Sequence, residues 1–196
     1  MVGSLTRLHR AALAGPTLRV ARALLGCVVC HRVAGDVLRG RIVEVEAYTD
    51  DAASHAAHGR RTPRSQIMFG PPGVAYVYQA YGMHCCLNVT SEDVGRPGAV
   101  LIRGVDGIDH ARGPGLVCRA LRLSLRDNGR DMTTDPDLWI EAAARRRRGE
   151  RIVRTTRVGI SRAIDLRHRF YLFGSPGVSR RDRVAEAAGG TRRLPA

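Results

Sequence analysis

Residues 74–89, VAYVYQAYGMHCCLNV, constrain the fold more than any other stretch of the chain. Val74, Tyr76 and Tyr78 alternate with Ala75, Val77 and Gln79, the period-2 pattern of a half-buried strand. Gly82 supplies a turn, and the chain runs back with Cys86, Leu87 and Val89 as apolar strand material. The stretch reads as a β-hairpin with an unusual tip. Hairpin turns favour Asn-Gly or Asp-Gly, whose side chains accept φ > 0 and water, yet Tyr81 precedes the glycine and Met83 follows it.

The same alternation recurs in RIVEVEAY, the end of a long strand entered from a Gly-Asp turn. It puts Ile42, Glu44, Glu46 and Tyr48 on one face and Val43, Val45 and Ala47 on the other. Two carboxylates beside a tyrosine either face water or line a cleft, and a glutamate in a positive cleft can activate water for attack on an electron-poor carbon. Around these strands, Leu18–Leu25 reads as a helix ended by Gly26, and CVVCHRV as a strand. Residues 49–73 read as an ordered loop with one helical turn, and AVLIRGV as a strand. GPGLVCRALRLS reads as a helix burying Leu116, Ala120, Leu121 and Leu123. DLWIE forms a short strand, Arg145–Arg148 a basic exposed loop, RIVRTTRVGIS a further strand, and RHRFYLFGSPGVS a last strand and turn. The expected architecture is one mixed α+β domain over residues 1–196, built on an antiparallel sheet, with residues 1–17 and 187–196 as flexible termini.

Charge narrows the function. There are 32 basic and 18 acidic residues, a net charge of +14, and every basic residue is Arg. A GC-rich genome explains Arg over Lys but not the excess of base over acid, which favours a polyanion such as nucleic acid. Arg60, Arg61 and Arg64, interleaved with His55 and His58 beside the aromatic hairpin, are candidate phosphate contacts. No 18-residue apolar run is present, and the N-terminal stretch lacks the apolar core of a signal peptide, so a cytoplasmic protein with reduced cysteines is expected. CVVCH matches a c-type haem attachment pattern, but its valines fit a buried strand better, and no second well-spaced cysteine pair supports zinc. No cofactor or metal is therefore expected. Without Lys there is no lysine Schiff base. P-loop, dinucleotide, α/β-hydrolase and zinc-deaminase patterns are all missing.

From about Ala21 to Ala187, the segments RGRIVEVEAY, SHAAHGRRTPRSQIMFGPPGVAYVYQAYGMHCCLNV, GAVLIRGV, GPGLVCRAL, RVGIS, RFYLFGSPGVS and DRVAE follow one another in order. In these the chain resembles the alkyladenine (3-methyladenine) DNA glycosylase family. The resemblance implies a curved antiparallel sheet, flanking helices and a hairpin that intercalates into DNA. It also implies a monomeric, monofunctional enzyme that hydrolyses the N-glycosidic bond of damaged purines in double-stranded DNA. Carried over residue by residue, it gives Glu46, Arg103 and the Ile160 backbone a catalytic role. Tyr48, His55, Tyr78 and Asn88 fall in the base pocket, and Tyr81, Gly82, Met83 and His84 at the intercalating tip. The chain departs from the family pattern at Leu116-Val117, at His84, Cys85 and Cys86, and at Gly177. A non-catalytic basic nucleic-acid-binding module is the alternative reading.

Overall fold

The structure, a computed structural model, describes residues 6–143 and 150–188. The long alternating stretch folds as expected, and the sheet grows outward from it. In chain order come α1 (Arg10–Leu13), α2 (Thr17–Leu24), β1 (Val28–Val33) and β2 (Asp36–Tyr48). Two short 3₁₀ turns, Ala57–Gly59 and Gln66–Phe69, punctuate the loop before β3 (Ala75–Ala80) and β4 (His84–Thr90). Then follow β5 (Ala99–Asp106), α3 (Pro114–Ala120), β6 (Leu138–Glu141), β7 (Ile152–Thr155), β8 (Arg169–Leu172) and α4 (Arg183–Ala187). This is a single mixed α+β domain with a curled antiparallel sheet and few helices.

The strands run in the order β3-β4-β5-β2-β1-β6, with β8 also on β2 and β7 on β8. Along one edge of β2, β1 pairs with residues 36–41 and β8 with residues 44–46. The sheet therefore forks. Backbone bonds from Gly26 N–H to the Ile42 carbonyl and from Ile42 N–H to the Cys27 carbonyl, each 2.8 Å, bridge the gap between the branches. On the other edge, the β2–β5 register slips between Ile42 and Val45, leaving Val43 and Arg103 outside the ladder. A slip of this kind increases the local twist. It puts Gly104 opposite Glu44, where a side chain would strike the Gly177 carbonyl of the loop after β8. A side chain at Gly177 would likewise collide with the Val105 carbonyl, so here the bulky aromatic of the family pattern has no room.

The main core lies between the sheet and the helices. Val20, Ala21 and Leu24 of α2 are buried there, with Val29, Val45, Leu87 and Phe170. Each of the Val, Leu and Phe side chains contributes about 1.5–3 kcal/mol by leaving water. A second, smaller cluster of Ala56, Met68, Phe69, Tyr76 and Ala99 supports the loop of residues 49–73. Within the N-terminal stretch marked as terminal by sequence, Leu13 is buried and the Leu8 N–H donates to the Ile140 carbonyl at 2.8 Å. The helical phase expected after Gly113 needs correcting. Leu121 and Leu123 are buried as expected, but Pro114 starts α3, and within it Val117 and Cys118 are buried while Leu116 and Ala120 are only half-buried. The strand expected across RIVRTTRVGIS ends at Thr155, and residues 156–168 are irregular. Arg145–Arg148 and the end of the tail lie outside the described residues.

Candidate active site

A cleft of about 860 Å³ opens between the β3–β4 pair, the loop of residues 52–68, the start of α3 and the segment 158–162. Its aromatic wall comes from alternation on β3. Tyr76 and Tyr78, two residues apart, share a face, with ring centroids 5.2 Å apart. His55, from the loop, stands edge-on to Tyr78 at 4.6 Å, and its Nδ1 shares a 2.7 Å hydrogen bond with the Tyr76 hydroxyl. Partial burial and the Arg64 charge both hold the His55 imidazole below its usual value, toward the neutral ring. Across β3 and β4, Asn88 is buried opposite Tyr76 and donates its Nδ2 to the Tyr76 carbonyl at 3.1 Å.

At the floor, the end of β2 brings its polar face against Arg103 of β5. Glu46 is wholly enclosed. One of its carboxylate oxygens, Oε2, accepts the Tyr48 hydroxyl at 2.8 Å and lies 3.4 Å from Arg103 Nη1. The other accepts the Val158 N–H at 2.8 Å. Burial pushes this carboxyl above the usual glutamate range, and Arg103, Val158 and Tyr48 offset only part of that. Glu44, on the same face, is equally buried but differently held. It accepts Arg169 Nη1 at 2.8 Å and the Ser179 N–H at 2.6 Å, with Arg103 Nε 3.5 Å away. Arg103 thus lies between two carboxylates, and a second guanidinium satisfies only one of them.

Arg157, from the irregular segment, completes the floor. Its guanidinium sits 4.7 Å over the Tyr48 ring and forks onto Asp51 at 2.6 and 2.9 Å. Burial, the largest influence, would raise the Asp51 carboxyl, but the hydrogen bonds and charge of Arg157 with the Ala53 and Thr49 N–H donors together outweigh it and hold the group below the usual range. Burial first and Glu46 second push the Tyr48 phenol well up, so it remains a donor to that carboxylate.

The tip is open to solvent. Tyr81 and Gly82 both have φ > 0, at 50° and 70°, and the Met83 N–H closes the turn onto the Ala80 carbonyl at 3.2 Å. That conformation suits a glycine and is uncommon for an aromatic residue. Tyr81 is 87% and Met83 75% exposed, and Gln79 braces the turn through the Gly82 carbonyl at 2.8 Å. His84 leans on the first turn of α3, where a side chain at Gly115 would crowd its ring.

Most residues singled out from the sequence therefore meet at one place. Tyr48, His55, Arg64, Tyr78, Tyr81, Gly82, His84, Asn88, Arg103 and Ile160 border the cleft, and Glu46 sits one hydrogen bond behind Tyr48. Met83 is exposed and outside the lining, as is Arg60, and Arg61 stacks on Phe69 at 4.0 Å. Sequence reasoning did not assign Tyr76, Cys86, Leu116 and Arg157 to the site. Tyr76 was within reach, since it shares the face of Tyr78, but nothing local marks Arg157. Among the described residues, no group of three or more His, Cys, Asp or Glu side chains could hold a metal ion. No described helix is long and apolar enough to cross a membrane.

Comparison with known proteins bears on this geometry. The family model for methylpurine-DNA glycosylase (MPG) matches residues 11–111 and 105–176. The chain belongs to the methylpurine-DNA glycosylase family. A protein of Synechococcus elongatus is 44% identical over 89% of this chain and 92% of its own length. One from Anaeromyxobacter dehalogenans is 47% identical over 93% of this chain and 90% of its own. A third, from Anaeromyxobacter sp. strain Fw109-5, is 47% identical over 95% of this chain and all of its own length. All three carry 3-methyladenine DNA glycosylase as a provisional name. Methylpurine-DNA glycosylases are hydrolases of N-glycosyl bonds, and the match spans both the aromatic wall and the carboxylate floor.

Proposed function

We propose that the protein excises alkylated purines of the 3-methyladenine type from duplex DNA by flipping the base into the aromatic cleft. Water then hydrolyses the bond to deoxyribose. The observation that carries this reading is an enclosed glutamate, Glu46, set beside Arg103 and hydrogen-bonded to Tyr48 beneath a wall of three aromatic rings. Tyr81, held out in water, is suited to fill the gap left by the extruded base, since an apolar wedge offsets lost stacking. Tyr48 and Tyr78 stack the purine, with about 1–3 kcal/mol expected per stacked base, and a cationic alkylated ring gains further attraction to their faces. His55 borders the same pocket, and Asn88 crowds the exocyclic amine of guanine.

In the chemical step the bond between C1′ and the purine nitrogen breaks, and its electron pair leaves with the base. The sugar takes on oxocarbenium character, as in other glycoside cleavage. A water held by Glu46 and the Ile160 carbonyl forms the new C1′–O bond and gives its proton to the Glu46 carboxylate, leaving an abasic site. A carboxyl raised by burial is a stronger base than one in water, which suits this task. Glu44, tied to Arg169 and Ser179, anchors Arg103. Glu46→Gln should lower release of methylated adenine from duplex DNA by at least about a hundredfold while leaving binding to an abasic-site analogue close to that of the unaltered protein. Unchanged release would remove Glu46 as the base, and release absent from both proteins would leave only a nucleic-acid-binding module.

A further inference from the structure

Outside the aromatic cleft, the described residues form a second cavity of about 330 Å³, and its lining is almost entirely cationic. Arg157, Arg169, Arg180, Arg181 and Arg183 border it, with Asp182 as the one carboxylate. Three of the guanidinium groups are already occupied: Arg157 by Asp51, Arg169 by Glu44, and Arg181 by Glu186 at 2.9 Å. Asp182 is engaged too, accepting the Ala185 N–H at 3.0 Å and the Thr155 hydroxyl. The exposed guanidinium groups of Arg180 and Arg183 have no partner among the described residues. Deeper in, the Arg157 side chain is wholly buried, yet its Nε donates to nothing. Like charges gathered in so small a space repel one another unless an anion enters, and a buried guanidinium N–H without an acceptor is costly. The cavity has ample room for a tetrahedral oxyanion, a water molecule needing only about 30 Å³.

We propose that this cavity binds a phosphate group, supplied by a backbone phosphodiester of the DNA held at the aromatic cleft. The assignment rests on the glycosylase reading of that cleft. What connects the two is the segment 156–158, which lines the cationic cavity and reaches the cleft at Val158. Val158 borders both cavities and donates to Glu46, and Arg157 lies over the Tyr48 ring while lining the cationic cavity. Three extended residues span about 10 Å, and the phosphates of one strand recur about every 3.4 Å along the helix axis. A strand with its damaged nucleotide in the cleft can therefore lay a neighbouring phosphate into this cavity. Its grip would fall on the nucleotides beside the lesion whatever their sequence, because phosphate contacts position and do not specify.

Full-length protein and an Arg180→Ala/Arg183→Ala variant should be titrated against a duplex carrying an abasic-site analogue between 50 and 200 mM salt. Arg126→Ala, at an exposed arginine outside both cavities, is the control for loss of surface charge. Because Arg180 and Arg183 are exposed, the double variant should fold normally. Its affinity should fall about tenfold, and the slope of log affinity against log salt should shrink by about 1, with Arg126→Ala changing neither. Single-turnover excision at saturating protein should stay within about twofold of the parent. Inorganic phosphate should raise the melting temperature of the parent and not that of the double variant. Unchanged DNA affinity and slope, with phosphate still stabilising the parent selectively, would assign the cavity to a free phosphate anion and overturn the DNA assignment. Failure of both arms would remove the site. If the parent releases no methylated purine, the glycosylase reading falls, while both binding arms still report on this cavity.

Discussion

The floor of the cleft and the tip of the β3–β4 pair are built on opposite terms. At the floor, Glu44 and Glu46 are wholly removed from water and surrounded by guanidinium groups and backbone donors. At the tip, Tyr81 and Met83 lie in solvent on a backbone that an aromatic residue rarely adopts. Burying a charge costs several kcal/mol unless it is paired, and holding a side chain at φ > 0 costs on the order of 1 kcal/mol. Neither is what stability alone would select. The floor can tolerate its charges only because they are matched, whereas the tip tolerates its strain because little else depends on it. One region is sensitive to any unmatched charge, and the other should accept substitution with no loss of fold.

The largest expected effect tests that sensitivity. Arg169→Leu leaves Glu44 buried with the Ser179 N–H and an Arg103 that it shares with Glu46, and should destabilise the fold by about 3–5 kcal/mol, measured as a lower urea midpoint. A loss below about 1 kcal/mol would mean that Arg103 alone compensates Glu44 and that the contrast with the tip is false. Next in size is Glu46→Gln. The unfolded carboxyl ionises near the ordinary 4.5 and the folded one above it, so between those values the native state binds more protons than the unfolded state. Stability is therefore full below the unfolded value and falls as pH rises through the folded one. Glutamine abolishes that fall. The variant should melt at a higher temperature than the parent at neutral pH and lose the pH dependence. A melting profile still sloping over that range would assign the linkage to another group. The parent's excision rate should rise with pH through the same window, as the base ionises.

The smallest stability change belongs to the tip. Tyr81→Asn puts a residue that accepts the left-handed region into the turn, and should stabilise the protein by about 0.5 kcal/mol. Excision of a paired methylated adenine should nonetheless weaken more than excision of an unpaired one, since only the paired base needs a wedge to hold it out. Equal losses on the two substrates would separate Tyr81 from base extrusion, and a destabilised variant would remove strain from the account of the tip.

How much of this could be read from the sequence depends on the range of the interaction. The face shared by Glu44, Glu46 and Tyr48 follows from alternation, and so does the Tyr76–Tyr78 wall, though only half of that wall was recognised. In residues 114–123 the burial of Leu121 and Leu123 follows from the pattern, but α3 starts at Pro114 and presents Leu116 to the cleft instead of the core. Arg157 had no legible role: in its segment it is one arginine among several, and its partners Asp51 and Tyr48 are more than a hundred residues away. The register slip at Val43 and Arg103, beside the two glutamates, has no local signature in the sequence. It leaves both on one face and changes which cation each meets.

By itself, then, the sequence determined the strands, the turn at Gly82 and the faces their side chains occupy, because backbone sterics and period-2 alternation act within a few residues. It also carried the motifs that place the chain in its family. Only the tertiary structure decided that Glu44 is consumed by Arg169 and Ser179 while Glu46 is left beside the cleft. Two carboxylates on one strand face are equivalent until other strands bring charge to them. Burial and pairing are set by segments up to 135 residues away, and no local pattern in β2 encodes which neighbour arrives.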